Sequence, residues 1–239
     1  MNRKIIFILI TFFIVSCGKK PAFEVVRIGQ LEDLIKKGDM KTHAKLQDFD
    51  TVKHLYAIGS VTDLKGYIQI IDGKSYTSSV INGAMAIDST YNIDATLLLY
   101  SEVNEWKEVT IPNDVTTMKQ LQQFIGTQAD KYKIPKSCAS PFLLKGIAAD
   151  AKWRVVDWDK NDKKITYKKT IQSGISGELN NEEITAIGFY SKETYEVLSH
   201  KDNTIHMHFV NHKHTIAGHI DDLTLDGRMK LYLPKKIGE

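Results

Sequence analysis

Cysteine, net charge and long apolar runs are all scarce in this 239-residue chain, and each scarcity excludes something. Two cysteines, Cys17 and Cys138, cannot build a disulfide framework, so the fold must rest on a buried core, which a chain of this length can form. Lys plus Arg number 32 against 29 Asp plus Glu, a formal charge of +3. Losing Arg3 and Lys4 with a leader leaves 30 against 29, which removes the electrostatic motive for binding nucleic acid. No stretch offers the ~20 apolar residues of a spanning helix. No Pro/Gly/Ser-rich linker divides the chain, so its parts are expected to pack closely. With 42% hydrophobic and 26% charged residues the composition is that of a packed globular body, not a disordered one.

What is present begins with the leader. Arg3 and Lys4 precede eleven uncharged residues, 5–15, followed by Ser16, Cys17 and Gly18-Lys19-Lys20. That is the layout of a signal-peptide apolar region, and Ile14-Val15-Ser16-Cys17 resembles a bacterial lipobox. The expectation is a signal peptide over 1–16, a lipidated Cys17 as the mature N-terminus, and a tether over 17–24. The protein would then be an exported lipoprotein anchored to a lipid bilayer, on the periplasmic face or cell surface. An ordinary signal peptide with an incidental cysteine is the alternative. Cys138, with no basic partner or helix start evident to activate it, reads as a small buried hydrophobe rather than a reactive thiol.

Beyond the tether, apolar periodicity gives few helices and many strands. Helices are expected over 31–37 and 116–128, the latter capped by Asn113 or Asp114 and striped by Met118, Leu121, Phe124 and Ile125. Strands are expected over 25–30, 54–61, 66–71, 74–77, 84–88, 95–101 and 105–111. A second series covers 141–148, 153–158, 165–169, 183–190, 195–199, 204–211, 215–221 and 229–233. Asp72-Gly73 marks a tight hairpin turn. The class is α+β, mostly antiparallel, with a strand–helix–strands order occurring twice, over about 25–104 and 105–239.

Five of the eight histidines fall between His206 and His219. On a strand, His206 and His208 share a face while Ile205, Met207 and Phe209 turn to a core. The polar segment 211–214 can reverse the chain, and the return strand brings His219 toward the first two. Three neutral imidazoles with an open position are the ligand set of a Lewis-acid zinc site; other first-row divalent ions also suit imidazole. A solvated His-rich hairpin, or core histidines with satisfied hydrogen bonds, is the competing reading. His212 and His214 belong to the solvated turn; His43, His54 and His200 have no visible constellation.

These residues resemble the α-acetolactate decarboxylases. The family signature of His-x-His-Phe, a polar turn and Gly-Gly-His is similar to His206-Met207-His208-Phe209 through Ala217-Gly218-His219. Upstream, Ala186-Ile187-Gly188-Phe189-Tyr190-Ser191 is similar to its Ile-Gly-Phe-Tyr-Thr-Pro strand, and Gly59-Ser60-Val61-Thr62-Asp63-Leu64-Lys65-Gly66 to its Gly-Thr-x-x-x-Leu-Asp-Gly turn. The resemblance spans roughly 43–233. It implies a duplicated α+β fold, metal binding at His206, His208 and His219, and conversion of the small anion 2-acetolactate to acetoin and CO₂. Ser60 stands where the family has Thr and Tyr67 where it has Glu, so both are candidate catalytic residues. At the family's substrate-facing Arg the resemblance places Asp157 or Asp159, while Arg154 is expected on the opposite face. The chain also stops before the family's C-terminal Glu ligand. A ligand-binding lipoprotein that keeps the triad without the chemistry is therefore the alternative function.

Overall fold

In this computed structural model the described residues are 23–134, 138–162, 164–192 and 203–235. Cys17, His200 and the strand expected over 195–199 lie outside them. The first series of strands comprises β1 (Val25–Ile28), β2 (Ala44–Lys45), β3 (Leu55–Val61), β4 (Tyr67–Ile71), β5 (Lys74–Ser75), β6 (Thr77–Ile81), β7 (Ala84–Asp88) and β8 (Asp94–Glu102), with helix α1 (Leu31–Lys37) after β1. The second comprises β9 (Trp106–Val109), β10 (Ser140–Val155), β11 (Ile175–Tyr190), β12 (Ile205–Asn211), β13 (Ala217–Thr224) and β14 (Met229–Pro234), with α2 (Met118–Lys131) and α3 (Tyr167–Gln172). Each series forms one antiparallel sheet. The first runs β1-β8-β3-β4-β6-β7, with β2 on β8 and β5 on β4; the second runs β11-β12-β13-β10-β14-β9. A further β10–β11 pairing closes β10, β11, β12 and β13 into a ring.

The strand sequences dictate the layering. Phe142 and Leu144 on β10 turn one way, into a core with Phe209, Leu231 and the α2 residues Leu121 and Ile125. Leu143 turns the other way and meets Ile187 and Phe189 of β11 with Tyr56, Ile58 and Leu99 of the first sheet. A strand covered on both faces reads as a continuous apolar run, as 141–144 does. The second sheet is thus the middle layer, between α2 and the first sheet. Full burial of each such side chain is worth about 1.5–3 kcal/mol. Asp72-Gly73 makes the expected turn between β4 and β5, both residues with positive φ (51° and 71°).

Several expectations are corrected. The strands expected over 141–148 and 153–158 are the single strand β10, and β11 begins eight residues before Glu183, because Asp150–Val155 pair with Asn180–Ile175. That stretch is largely polar, so cross-strand pairing rather than periodicity holds it extended. Residues 165–169 were expected as a strand; instead Thr166 Oγ1 accepts from the Lys169 N–H at 3.3 Å and starts α3, so a local cap outweighs alternation. The cap of α2 is Thr117, in a reciprocal box with Gln120, not Asn113 or Asp114. The strand β6 was missed. Cys138 is half-buried rather than fully buried.

Candidate metal centre

The turn between β12 and β13 is organised by Asn211, which is 2% exposed. Its Oδ1 accepts from the N–H groups of Thr215 (2.8 Å) and Ile216 (3.0 Å). This fixes the register in which His208 faces His219 and Phe209 faces Gly218. A Cβ on Gly218 would lie 2.6 Å from the Arg154 carbonyl oxygen, so only glycine lets β13 approach β10 this closely.

His206 and His208 project from one face of β12, and His219 stands opposite His208. Their ring centroids are 4.8–5.5 Å apart, and each offers a ligand atom within 4.8 Å of the others. His208 is buried, and its Nδ1 lies 2.8 Å from the Ile68 carbonyl oxygen of the first sheet. A carbonyl only accepts, so Nδ1 carries the hydrogen and Nε2 keeps its lone pair. Burial first, then the neighbouring His206 and the Arg154 charge, hold the His208 pKa well below its ordinary value against the opposing pull of the Ile68 bond. Its imidazole is therefore neutral at pH 7, as a metal ligand must be. The Nε2 atoms of His208 and His206 are 3.2 Å apart, close to the ~3.3 Å between two tetrahedral ligands with bonds of about 2.0–2.1 Å. The donor set and its spacing fit a divalent metal ion.

Around the triad lies a cavity of about 200 Å³. Ser60, Tyr67, Arg154 and Asp221 line it, with Arg27, Gln122, Thr170 and Asn203 and apolar side chains that include Leu31, Leu34, Leu97, Val156, Ile165 and Met207. Ser60 is 5% exposed, and its Oγ has no hydrogen-bond partner among the described residues. The Tyr67 ring packs edge-on to His208 and tilted against His219, with centroids at 4.9 and 5.7 Å. Its hydroxyl oxygen accepts from Arg154 Nε at 3.2 Å.

Arg154 overturns its expected orientation. It pairs directly with His219 across β10 and β13, and residues directly opposite project to the same side of a sheet. His208, His219 and Arg154 thus form a row across three strands, with the guanidinium buried beside Asp221. The positions expected in its place lie elsewhere. Asp157 accepts from Lys65 Nζ at 2.8 Å, and Asp159 is exposed and accepts from the N–H of Asn161 at 2.9 Å. Alternation does not carry from Arg154 to Asp157, because β10 ends at Val155. Sequence reasoning also missed Asp221 and the Ile68 carbonyl. For Asp221 a signal existed, its place two residues after His219; for a backbone carbonyl there was none. His212 is exposed and 3.7 Å from Glu183; exposed His214 packs at a tilt against Tyr76, with ring centroids 4.8 Å apart. His43 pairs with Asp39 and His54 with Asp72, away from the triad.

A family model described as Alpha-acetolactate decarboxylase matches residues 32–235. The fold is similar to the crystal structure of alpha-acetolactate decarboxylase from Bacillus subtilis strain 168, with TM-score 0.70 at 13% identity, over 89% of this chain and 86% of that one. It is also similar to acetolactate decarboxylase from Bacillus subtilis subspecies spizizenii, with TM-score 0.69 at 14% identity, over 90% and 87%. A Staphylococcus aureus protein of unknown function, itself similar to alpha-acetolactate decarboxylase, gives TM-score 0.68 at 14% identity, over 90% and 86%. No curated protein matches the chain.

Proposed function

Because the chain belongs to the alpha-acetolactate decarboxylase family, we propose that it decarboxylates 2-acetolactate to acetoin, with a divalent metal, most simply Zn²⁺, on His206, His208 and His219. The observation that carries this reading is the row of His208, His219 and Arg154 lining the cavity. In the reaction the bond from the carboxylate carbon to the hydroxyl-bearing carbon breaks, CO₂ leaves, and the electron pair is shared with the adjacent carbonyl. A proton then adds to the carbon that lost the carboxylate. When bound, the metal supplies Lewis-acid stabilisation to the substrate oxygens. Arg154, whose charge Asp221 already balances, orients the substrate carboxylate by hydrogen bonding. Tyr67, whose oxygen accepts from Arg154 Nε, keeps its own proton to deliver, where the family uses a Glu. Ser60 Oγ donates to a substrate oxygen. The apolar walls take up the methyl groups and exclude water.

The test is acetoin and CO₂ release by the purified, Zn²⁺-loaded protein, against a chelator-treated control. Metal-dependent acetoin supports the reading. Stoichiometric metal binding without acetoin would replace it by the ligand-binding alternative.

The same proposal extends to location. The leader supports export and acylation of Cys17, which would anchor the body to a bilayer by lipid alone; no helix among the described residues is long and apolar enough to span one. Mass spectrometry of the membrane fraction should find an N-terminal acylated cysteine at position 17. An unmodified Met1 terminus in the soluble fraction would sink this reading.

A further inference from the structure

The β10–β13 ladder slips at one place. His219 pairs with Arg154 and Ile220 with Trp153, but the next pair is Asp222 with Lys152. Asp221 is the extra residue of a β-bulge. The packing agrees, since Ile220 and Leu223, three residues apart, are both buried in the same core, which a regular alternation forbids. Alternation keeps Asp221 on the face of His219, two residues on, and the slip beyond it returns Leu223 to the core. Asp221 Oδ1 lies 3.6 Å from His219 Nε2 and pairs with the Arg154 guanidinium. One carboxylate thus sits between a candidate metal ligand and the buried cation beside it.

We propose that Asp221 is a positioning residue of the metal centre, which orients His219 through its Nε2–H and is shared with, and restrained by, Arg154. The inference rests on the metal-centre reading above but not on the decarboxylation. Imidazole ligands are commonly held by a carboxylate on the second nitrogen, which fixes tautomer and ring orientation and raises basicity. His208 has the equivalent partner in the Ile68 carbonyl; for His219 the group in that place is Asp221. The two histidines then present opposite nitrogens, Nε2 from His208 and the buried Nδ1 from His219.

The sharing gives the test opposite signs. Asp221→Asn weakens the hold on His219 and should lower Zn²⁺ affinity about 10–100-fold, measured by competition with a chromophoric chelator. Arg154→Met leaves the carboxylate wholly to His219 and should raise affinity several-fold. Asp221→Glu should recover part of the loss. The Co²⁺-loaded Asp221→Asn protein should keep the absorption bands of the parent, because the ligand set is unchanged. Where Asp221→Asn fails to fold around an unpaired Arg154, the double variant Asp221→Asn/Arg154→Met removes both charges and should still bind Zn²⁺ more weakly than the parent. Parallel loss in both single variants would make the pair merely structural and overturn the inference. Unchanged affinity in the Asn or the double variant would overturn it as well. Shifted Co²⁺ bands would make Asp221 a direct ligand, which also overturns it. None of these readouts needs acetoin, so a protein without decarboxylase activity can still pass or fail.

Discussion

The two sheets contribute unlike things to one site. The second provides every imidazole of the triad, on β12 and β13, and the guanidinium on β10. The first provides no metal ligand; it sends Tyr67 and Ser60 into the cavity wall and the Ile68 carbonyl onto His208. Ligation and the setting of its protonation state are thus divided between sheets held together by Tyr56, Ile58 and Leu99 against Leu143, Ile187 and Phe189. The division means that the proposed metal binding and the proposed turnover can be tested separately, the first at the triad and the second at Tyr67 and Ser60.

The largest break comes from the second sheet. His206→Ala or His208→Ala removes one of three ligands and should abolish high-affinity Zn²⁺ binding and acetoin formation together, read by metal stoichiometry and product assay. From the first sheet, Tyr67→Phe should lower turnover by about 10²-fold or more, the usual contribution of a proton-transfer group, while metal stoichiometry stays at the parent value. Loss of metal in that variant would erase the division of labour. The link between sheets sharpens the comparison further. Phe189→Ala opens a cavity at their interface and should cost about 3–5 kcal/mol in denaturant unfolding.

A smaller effect is read by pH in the metal-free protein. His208 is held neutral in the fold, with its pKa well below the ordinary value, whereas the unfolded chain takes up that proton near pH 6.5. Below that pH the unfolded state binds the extra proton, so stability falls as pH drops, by about 1.4 kcal/mol per pH unit until the folded pKa is reached. His208→Gln should flatten that slope. The smallest expected effect is that of His212→Ala. Its side chain is 73% exposed, its Glu183 contact is a surface one, and both metal affinity and stability should stay at parent values.

The same contrast governs what could be read before the structure. The histidine hairpin was legible because three signals agree there: alternation, a turn of polar residues, and a glycine where the backbones meet. The fold class was legible for the same reason, with alternating runs such as β14 and the β4–β5 turn carrying their own local signature. Residues 150–180 were not. Their strands are long and polar, and what holds them extended is pairing with each other and with β13, a non-local cause that periodicity does not record. Arg154 was placed on the wrong face because alternation was carried past Val155, where β10 ends. Asp221 shares the His219 face by simple alternation, but its partner Arg154 comes from another strand, so its place beside the triad was not legible in either segment alone.

The ring of β10, β11, β12 and β13 has a kinetic corollary. In the hairpin that carries the triad, β12 pairs with β11 and β13, and β13 with β12 and β10. Neither strand can peel away without breaking ladders on both flanks. Local opening free energies in a protein range from near zero at fraying edges to the full unfolding free energy in the most tied segments, and this hairpin sits at the upper end. Amide hydrogens of Phe209 and His219 should exchange with solvent on the timescale of whole-molecule unfolding. An ion seated on the triad would then come and go through the cavity mouth, and its residence time would be governed there rather than by breathing of the strands beneath it.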